Sequence, residues 1–475
     1  LVKNLTDPVS LDAKTLRIIP WIVAIAFFMQ TLDTSIMNTA LPAIATSLHE
    51  NPLHLHWVVI AYMLTVALLM PVSGWVADRF GTRTALFGAI LFFMAGSLFS
   101  AAAPSLNVLI TARVVQGMGG AFMMPVGRLV VLRMYPRQHL VQVLSFVSIP
   151  GMVGPLLGPT VGGFLVQYTT WHWIFLINLP VGLIGCVAVL HYIPNLRRAE
   201  LPRFDIRGFV LFGAAMLLIS FALDSAGQGS LPAPLVLTLT AGGGLCIGLY
   251  VIHARLRPNP LFRLSILRIR TFTVGLLGNI FARLASGGMP YLTPLLLQVL
   301  LGYSPVNAGL IMIPMALMAI FSKALATQLL NSFGYRVVLF VNTVALGGII
   351  ALYSNFSPGT PLYVMLIIFG VFGAVNSLQF TAMNTLTLIG LPDEEASSGN
   401  SLLSVIMQLS MSLGVAVAAS LMAIFLPGGA THSARLELAA GFRSTYLCIG
   451  GISVIAALIF LCTPKGFGKG ASQRM

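Results

Sequence analysis

The sequence predicts an all-α integral membrane protein, and three observations carry that prediction. Of its 475 residues, 57% are hydrophobic and 8% charged, with a mean hydropathy of +0.94. A soluble domain carries about 25% charged residues and needs them to cover its surface. The apolar residues gather into fourteen runs, and a helix needs about 20 such residues to cross a bilayer. Lysine and arginine fall almost wholly on alternate connections between those runs.

The runs lie near 18–40, 56–77, 84–102, 106–131, 140–166, 172–193, 207–224, 234–254, 271–300, 305–328, 336–353, 361–387, 398–426 and 444–461. The first is too long for the apolar core of a secretory signal and is expected to stay as a span. The ninth is interrupted by Arg283 and the pair Gly287–Gly288. Splitting it would leave two pieces too short to cross, so one long, bent helix is expected. Longer basic connections at 194–207 and 255–270 set the seventh and eighth runs apart. In the second connection, Leu261, Leu264, Ile266 and Leu267 oppose an arginine side, which suits a helix lying on the inner leaflet. Phe80-Gly81-Thr82-Arg83 follows the second run, and Phe333-Gly334-Tyr335-Arg336 follows the tenth. Setting aside the seventh and eighth runs makes those loops equivalent in two six-helix halves, the parallel-repeat pattern of transporters. The expected organisation is therefore a six-helix bundle over 1–193, two inserted spans over 194–270, and a second six-helix bundle over 271–475.

The net charge is +14, with 26 lysines and arginines. Twenty of these fall on one set of connections and the termini, and two, Arg435 and Arg443, on the other set. Such asymmetry orients a membrane protein. Both termini are expected in the cytoplasm, and the basic charge is read as a topology signal rather than nucleic-acid binding. All five tryptophans fall near run ends, where an interfacial aromatic belt belongs. The four cysteines, Cys186, Cys246, Cys448 and Cys462, form no CxxC pair and read as small hydrophobes. No G-x-x-x-x-G-K-[ST] phosphate loop is present, so work is expected to draw on gradients.

Several segments resemble one family. The first run carries Leu32-Asp33-Thr34-Ser35-Ile36-Met37-Asn38-Thr39-Ala40-Leu41-Pro42, and the following inner loop reads Gly74-Trp75-Val76-Ala77-Asp78-Arg79-Phe80-Gly81-Thr82-Arg83. The fourth run offers Arg113-Val114-Val115-Gln116-Gly117-Met118-Gly119-Gly120-Ala121. The fifth offers Gly151, Gly154, Pro155, Gly158, Pro159, Gly162 and Gly163, and the sixth opens on Trp171-His172-Trp173-Ile174-Phe175-Leu176-Ile177-Asn178-Leu179-Pro180. Together these resemble the fourteen-span drug:proton antiporter branch of the major facilitator superfamily. They cover the first 180 residues densely, whereas the second half matches by span count and the loop echo. The resemblance implies two six-helix bundles plus two extra helices, and proton-driven export of lipophilic small molecules by alternating access. It also implies the inner membrane of a bacterial cell and no cofactor.

Residue chemistry fits that picture. Asp33 lies about 8 residues, or roughly 12 Å, from the outer end of its run, and Arg113 about 7 residues, or roughly 10 Å, from the same face. At matching depth each stabilises the other's charge while desolvation opposes it, which makes Asp33 the expected proton carrier and Arg113 its partner; a static pair locking two helices is the plainer possibility. About 100 mV supplies roughly 2.3 kcal/mol per charge, and a pH unit about 1.4 more, so one proton sustains an export gradient of order hundredfold. Gly74, Asp78, Arg79, Gly81 and Arg83 form the expected conformational gate, with Gly74 permitting close helix approach. Gly151, Gly154, Gly158 and Gly162 share a helical stripe that allows tight packing, and Pro150, Pro155 and Pro159 bend it.

Arg283, near the middle of its run, has no acidic partner in the second half. Three possibilities are open: an anionic substrate, a water-filled cavity, or Asp33. Gln30, Asn38, Gln116, Asn279, Gln298, Asn376, Gln379, Asn384 and Gln408 are uncharged polar groups inside runs, expected either to line a substrate cavity or to bond between helices. Asp224 is expected to be solvated at an outer end. His49, His54 and His56 lie in one outer connection, where a metal site is not expected. His191 and His253 show no acidic partner, and no clustered nucleophile and base suggests an enzyme. The expected partners are a lipophilic small molecule, protons and the bilayer, with no nucleic acid and a monomeric chain. An exported organic anion is the second reading, because Arg113 and Arg283 stand against one firmly buried acid.

Overall fold

The computed structural model describes residues 2–4, 13–198, 201, 203–229, 231–426 and 435–464. Lys465, Lys469 and Arg474, and the outer connection over 427–434, lie outside the described residues. In lipid every backbone amide must find its partner inside the segment, and a helix meets that demand locally. Among the described residues thirteen helices are long and apolar enough to cross a bilayer, from Thr15–Ser47 to Arg435–Cys462. The ninth run supplies a fourteenth span in pieces: Arg270–Ser286, Met289–Leu295 and a π-helical turn at Leu296–Leu300. Gly287 and Gly288 keep helical dihedrals at the junction, and the Gly287 amide donates to the Arg283 carbonyl at 2.7 Å. The expected single helix is therefore split, with a two-residue turn of helical dihedrals joining Arg270–Ser286 to Met289–Leu295. Spans are numbered in this order below.

Two local features differ from expectation. Val2–Asn4 and Asn195–Arg197 form a short parallel strand pair, with Val2 opposite Asn195. The connection at 255–270 forms no surface helix. It holds one 3-10 segment, Leu264–Arg268, which buries Ile266 and exposes Leu267. The apolar spacing there serves local packing: Phe262 is buried beside Phe212 and Tyr250.

The chain divides into two compact units. Unit 1 contains residues 1–50, 57–204 and 304–309. Within it the first span (Thr15–Ser47) packs along the fifth (Gln142–Tyr168), and the third (Thr82–Ala101) along the fourth (Leu106–Met134). Unit 2 contains residues 51–56, 205–303 and 310–475. Its core includes Val338, Leu339, Ala382, Met383, Leu386 and Phe460. The seventh and eighth spans (Ile206–Gly227 and Ala233–Leu256) pair with each other, and the seventh rests on the thirteenth (Ser398–Phe425).

The loop echo has a structural counterpart. Gly81 has φ 97° and ψ 153°, and Gly334 has φ 78° and ψ 161°. This backbone region is almost closed to residues with a Cβ. Phe-Gly-x-Arg thus encodes the same sharp re-entry into a helix in both places.

Candidate functional site

Asp33 sits on the first span and is 3% exposed. Its Oδ2 accepts from Arg113 Nη1 at 2.7 Å, and its Oδ1 accepts from Gln116 Nε2 at 2.8 Å and Asn178 Nδ2 at 3.0 Å. Ser97 Oγ accepts from the same two amides, at 2.9 and 3.3 Å. The guanidinium of Arg113 also donates to the Val58 carbonyl and to Gln116 Oε1, and lies 4.3 Å from the centre of the Tyr62 ring. Five spans of unit 1 thus meet in the same buried cluster: the first, third and sixth with one side chain each, the fourth with Arg113 and Gln116, and the second with the Val58 carbonyl.

The sequence builds this cluster through close helix contacts. A Cβ at Gly96 would strike the backbone of Gln116, and one at Gly119 the backbone of Ala89 and Phe93. The third and fourth spans approach closely there, which brings Gln116 to Ser97. On the other side of Asp33, side chains at Gly154 and Gly158 would collide with Thr31, Leu32, Ser35 and Ile36 of the first span. Gly162 meets Ile36 as well, whereas a Cβ at Gly151 would reach only Phe27, at 4.0 Å. Three of the four stripe glycines are therefore contact positions, and they bracket the acidic residue. Gly163 extends the contact to Pro305 and Val306. The helix through Pro155 and Pro159 runs unbroken from Arg137 to Tyr168.

In the inner loop, Asp78 pairs with Arg133 at the end of the fourth span, and its Oδ2 lies 3.9 Å from Arg198 Nη1. Arg83 donates to the Ile193 carbonyl, and Thr82 to that of Pro194. Arg79 is exposed. Gly74 corrects an expectation: it is exposed, and a Cβ there would meet nothing within 4 Å, so no helix approaches closely at that point. Gly81 is the constrained glycine of the loop, by its dihedrals and by the Asn195 side chain packed on it.

The profile described as Major Facilitator Superfamily matches residues 23–415. The chain belongs to that superfamily. MdtD of Citrobacter koseri is 48% identical over 458 residues, covering 95% of each chain. MdtD of Salmonella typhi is 46% identical over 451 residues, covering 94% of each. Both names assign those proteins provisionally to multidrug resistance. Among solved structures, a bacterial homologue of the human lysosomal transporter Spinster, inward-facing and occupied, has a TM-score of 0.70 at 14% identity, covering 95% of this chain and 97% of that one. A D-xylose–proton symporter has a TM-score of 0.68 at 15% identity, covering 96% and 99%. At such identities these two show the fold alone. The chain is a multi-pass membrane transporter and not an enzyme.

In unit 2 of this major facilitator protein, Arg283 is 6% exposed. Its Nε donates to Asn279 Oδ1 at 3.1 Å, its guanidinium lies 4.7 Å from the Phe380 ring centre, and its Nη2 is buried without a hydrogen-bond partner among the described residues. Asn279 Nδ2 is held by the Gly275 carbonyl. Gln379 is engaged between helices: it accepts from Asn342 at 2.7 Å and donates to Thr343 at 2.6 Å. Asn376, Gln298 and Gln408 are half-buried. Back in unit 1, Gln30 and Asn38 are buried, with Gln30 Oε1 and Asn38 Oδ1 unpartnered among the described residues, and Asn38 Nδ2 donates to the Thr34 carbonyl. The Asn384 Oδ1 of unit 2 is likewise buried and unpartnered among the described residues.

Sequence reasoning placed no role on Asn178 or Ser97, although Asn178 stood in a quoted motif. It also misjudged one acid and one histidine. Asp224 is 3% exposed rather than solvated, and its Oδ1 lies 2.6 Å from His56 Nε2. His253, read as lacking an acid, has its Nε2 2.7 Å from Asp205 Oδ1. The seventh span thus has an aspartate at each end facing a histidine. His191 is exposed, with Nδ1 3.2 Å from the Val187 carbonyl.

Proposed function

We propose that this transporter is a proton-coupled exporter that moves lipophilic small molecules out of the cell by alternating access. In this reading it lies in the inner membrane of a bacterial cell with both termini cytoplasmic, works as a monomer without a cofactor, and is driven by the proton gradient. The observation that carries the proposal is the set of groups around Asp33. Arg113 Nη1, Gln116 Nε2 and Asn178 Nδ2 all point donors at the carboxylate. That arrangement suits the ionised form.

A proton arriving on Asp33 turns one oxygen into a donor among donors. The cluster must then rearrange, and the Arg113 charge loses its counterion in a low-dielectric interior. Because Gly154 and Gly158 pack on the residues flanking Asp33, the fifth span feels that rearrangement directly. Protonation from outside and release inside, each linked to one arrangement of these helices, gives exchange for an outgoing substrate. Asp78, Arg133, Arg198, Gly81 and Arg83 act at the inner loop, where the ion pairs tie its helix ends in the arrangement described.

A second reading, export of an organic anion such as a carboxylate metabolite, draws support from the buried, unpartnered Nη2 of Arg283. A buried cationic donor without an acceptor is costly, and a substrate carboxylate would satisfy it.

Inverted vesicles energised to an acidic interior test both readings. Lipophilic cations, then organic acids, are added to wild type and to Asp33→Asn. Substrate-dependent alkalinisation that disappears in Asp33→Asn supports proton exchange, and the responding panel chooses between drug and anion. A response in Asp33→Asn equal to wild type sinks the coupling role.

A further inference from the structure

The second buried acid–base pair lies outside the Asp33 cluster, and no transport role has been placed on it. His56 is 1% exposed and Asp224 3% exposed. His56 Nδ1 lies 2.6 Å from the Leu53 carbonyl oxygen, and Nε2 lies 2.6 Å from Asp224 Oδ1. A carbonyl accepts only, and so does a carboxylate, while a neutral imidazole carries one N–H. Both contacts are satisfied together only when the pair holds one extra proton. Either the ring is an imidazolium against a carboxylate, or the carboxylic acid donates to Nε2 of a neutral ring.

We propose that His56 and Asp224 form a second proton-binding site, whose occupancy fastens the 51–56 segment onto the seventh span. Loss of the proton would set the Nε2 lone pair against a carboxylate, both withdrawn from water, and the fastening would open. The segment is short and leads directly into the second span, because a 3-10 turn at Pro52–Leu55 ends at His56, where the helix His56–Leu69 begins. By chain order this is the face opposite the basic connections. The ligand is therefore a proton from the outer side, under the orientation proposed above.

Groups from several elements surround the pair. Tyr291 of the ninth span faces it: its ring lies 6.4 Å from that of His56, and its hydroxyl donates to the Leu53 carbonyl at 3.3 Å. The thirteenth span contributes Ser420, whose hydroxyl donates to the Leu223 carbonyl. Its acids, Asp393, Glu394 and Glu395, stand at its far end, as do His253 and Arg255 on the eighth span. Arg283 is deeper: its carbonyl faces Gly414, six residues or about 9 Å along the thirteenth span from Ser420. His49, Glu50 and His54 share the connection with His56, and Arg435 and Glu437 open the fourteenth span in exposed positions.

The test needs no substrate, so its outcome is independent of the exporter reading. Full-length protein in detergent is unfolded thermally between pH 5.5 and 9 as wild type, His56→Gln, Asp224→Asn and the double variant. A proton held by the folded pair and not by the unfolded chain makes stability fall as pH rises. The expected result is a coupling between the two positions of several degrees in midpoint at pH 5.5 that disappears by pH 9. The exchange of the pair, His56→Asp with Asp224→His, is expected to restore it, and Asp33→Asn to leave it unchanged. On unaltered protein, hydrogen exchange over 51–56, corrected for the intrinsic pH dependence of amide exchange, is expected to lose about tenfold of its protection across the same range. Coupling of equal size at every pH, no coupling at all, or protection that does not change with pH would overturn the proposal.

Discussion

Asp33 of the first span and Arg113 of the fourth meet at 2.7 Å, with side chains 2% and 1% exposed. Removing one member of such a pair strands the other charge in the protein interior, at about 3–5 kcal/mol, whereas removing both relieves much of that cost. Arg113→Gln and Asp33→Asn are therefore each expected to lower the thermal midpoint strongly, and Asp33→Asn/Arg113→Gln to lower it by much less than the two single losses together. Thermal unfolding of the four proteins measures this directly. Strictly additive losses would mean that the two charges do not support each other.

Asn178 offers a finer probe of the same cluster. Its amide bridges Asp33 Oδ1 and Ser97 Oγ from the sixth span. Asn178→Ala is expected to cost about 1–3 kcal/mol, as a buried carboxylate loses a donor, and to slow proton exchange without abolishing it. Asn178→Leu, which adds apolar bulk beside the carboxylate, is expected to do more harm. Vesicle alkalinisation rates and thermal midpoints together separate the two effects; wild-type behaviour in both variants would remove Asn178 from the site.

What the sequence made legible follows from the range over which each signal acts. Spans were legible because a bilayer imposes length and apolarity on every crossing segment; the ninth run departs from one continuous helix at the Gly287–Gly288 turn, although both glycines keep helical dihedrals. Asp33 and Arg113 stood out because charge inside an apolar run is conspicuous and rise per residue gives depth. Asn178 did not stand out, because an uncharged amide in a span has no signal for its partner. Asp224 was misread as solvated, since its partner His56 lies 168 residues away in the chain. Gly74 and Gly81 looked equivalent in one motif. Only backbone dihedrals and neighbouring side chains tell them apart.

The fifth-span stripe yields a contrast within one motif. At Gly154 and Gly158 a methyl group would strike the first span, while at Gly151 it meets Phe27 at ordinary van der Waals distance. Overpacking costs about 1–3 kcal/mol. Gly154→Ala and Gly158→Ala are expected to lower thermal stability by that order and to impair transport, with Gly151→Ala close to neutral. Equal tolerance at all three positions would count against the stripe as a sealed contact.

The repeated Phe-Gly-x-Arg turns make a second contrast. Gly81 and Gly334 hold φ of 97° and 78°, whereas Gly74 is in ordinary helix. Alanine in the first two positions stores backbone strain of about 1–3 kcal/mol. Gly81→Ala and Gly334→Ala are therefore expected to lower the unfolding midpoint, Gly81→Ala further because Asn195 occupies the space a Cβ would need. Gly74→Ala is expected to change it little or raise it slightly, since alanine favours an exposed helix.

Asp205 gives the protein a pH dependence on the side of the basic connections. It caps the seventh span by accepting from the Gly208 amide at 3.0 Å, and also accepts from the Leu261 amide at 3.1 Å, with His253 Nε2 at 2.7 Å. Burial pushes its carboxyl pKa up, but the bonds from His253, Gly208 and Leu261 together outweigh that, and it lies below the ordinary carboxylate value. A carboxyl depressed in the folded state stabilises the protein above its unfolded pKa of about 3.9, and that contribution is lost as pH falls through the lower folded value. Wild type is expected to lose stability progressively below about pH 4 in a way that Asp205→Asn does not share. At neutral pH the variant is expected to be less stable and to stay so at pH 6, where the carboxyl is still ionised. Thermal midpoints of both proteins from pH 3 to 7 check this, and parallel profiles down to the lowest pH would show that the cap carries no charge-dependent stability.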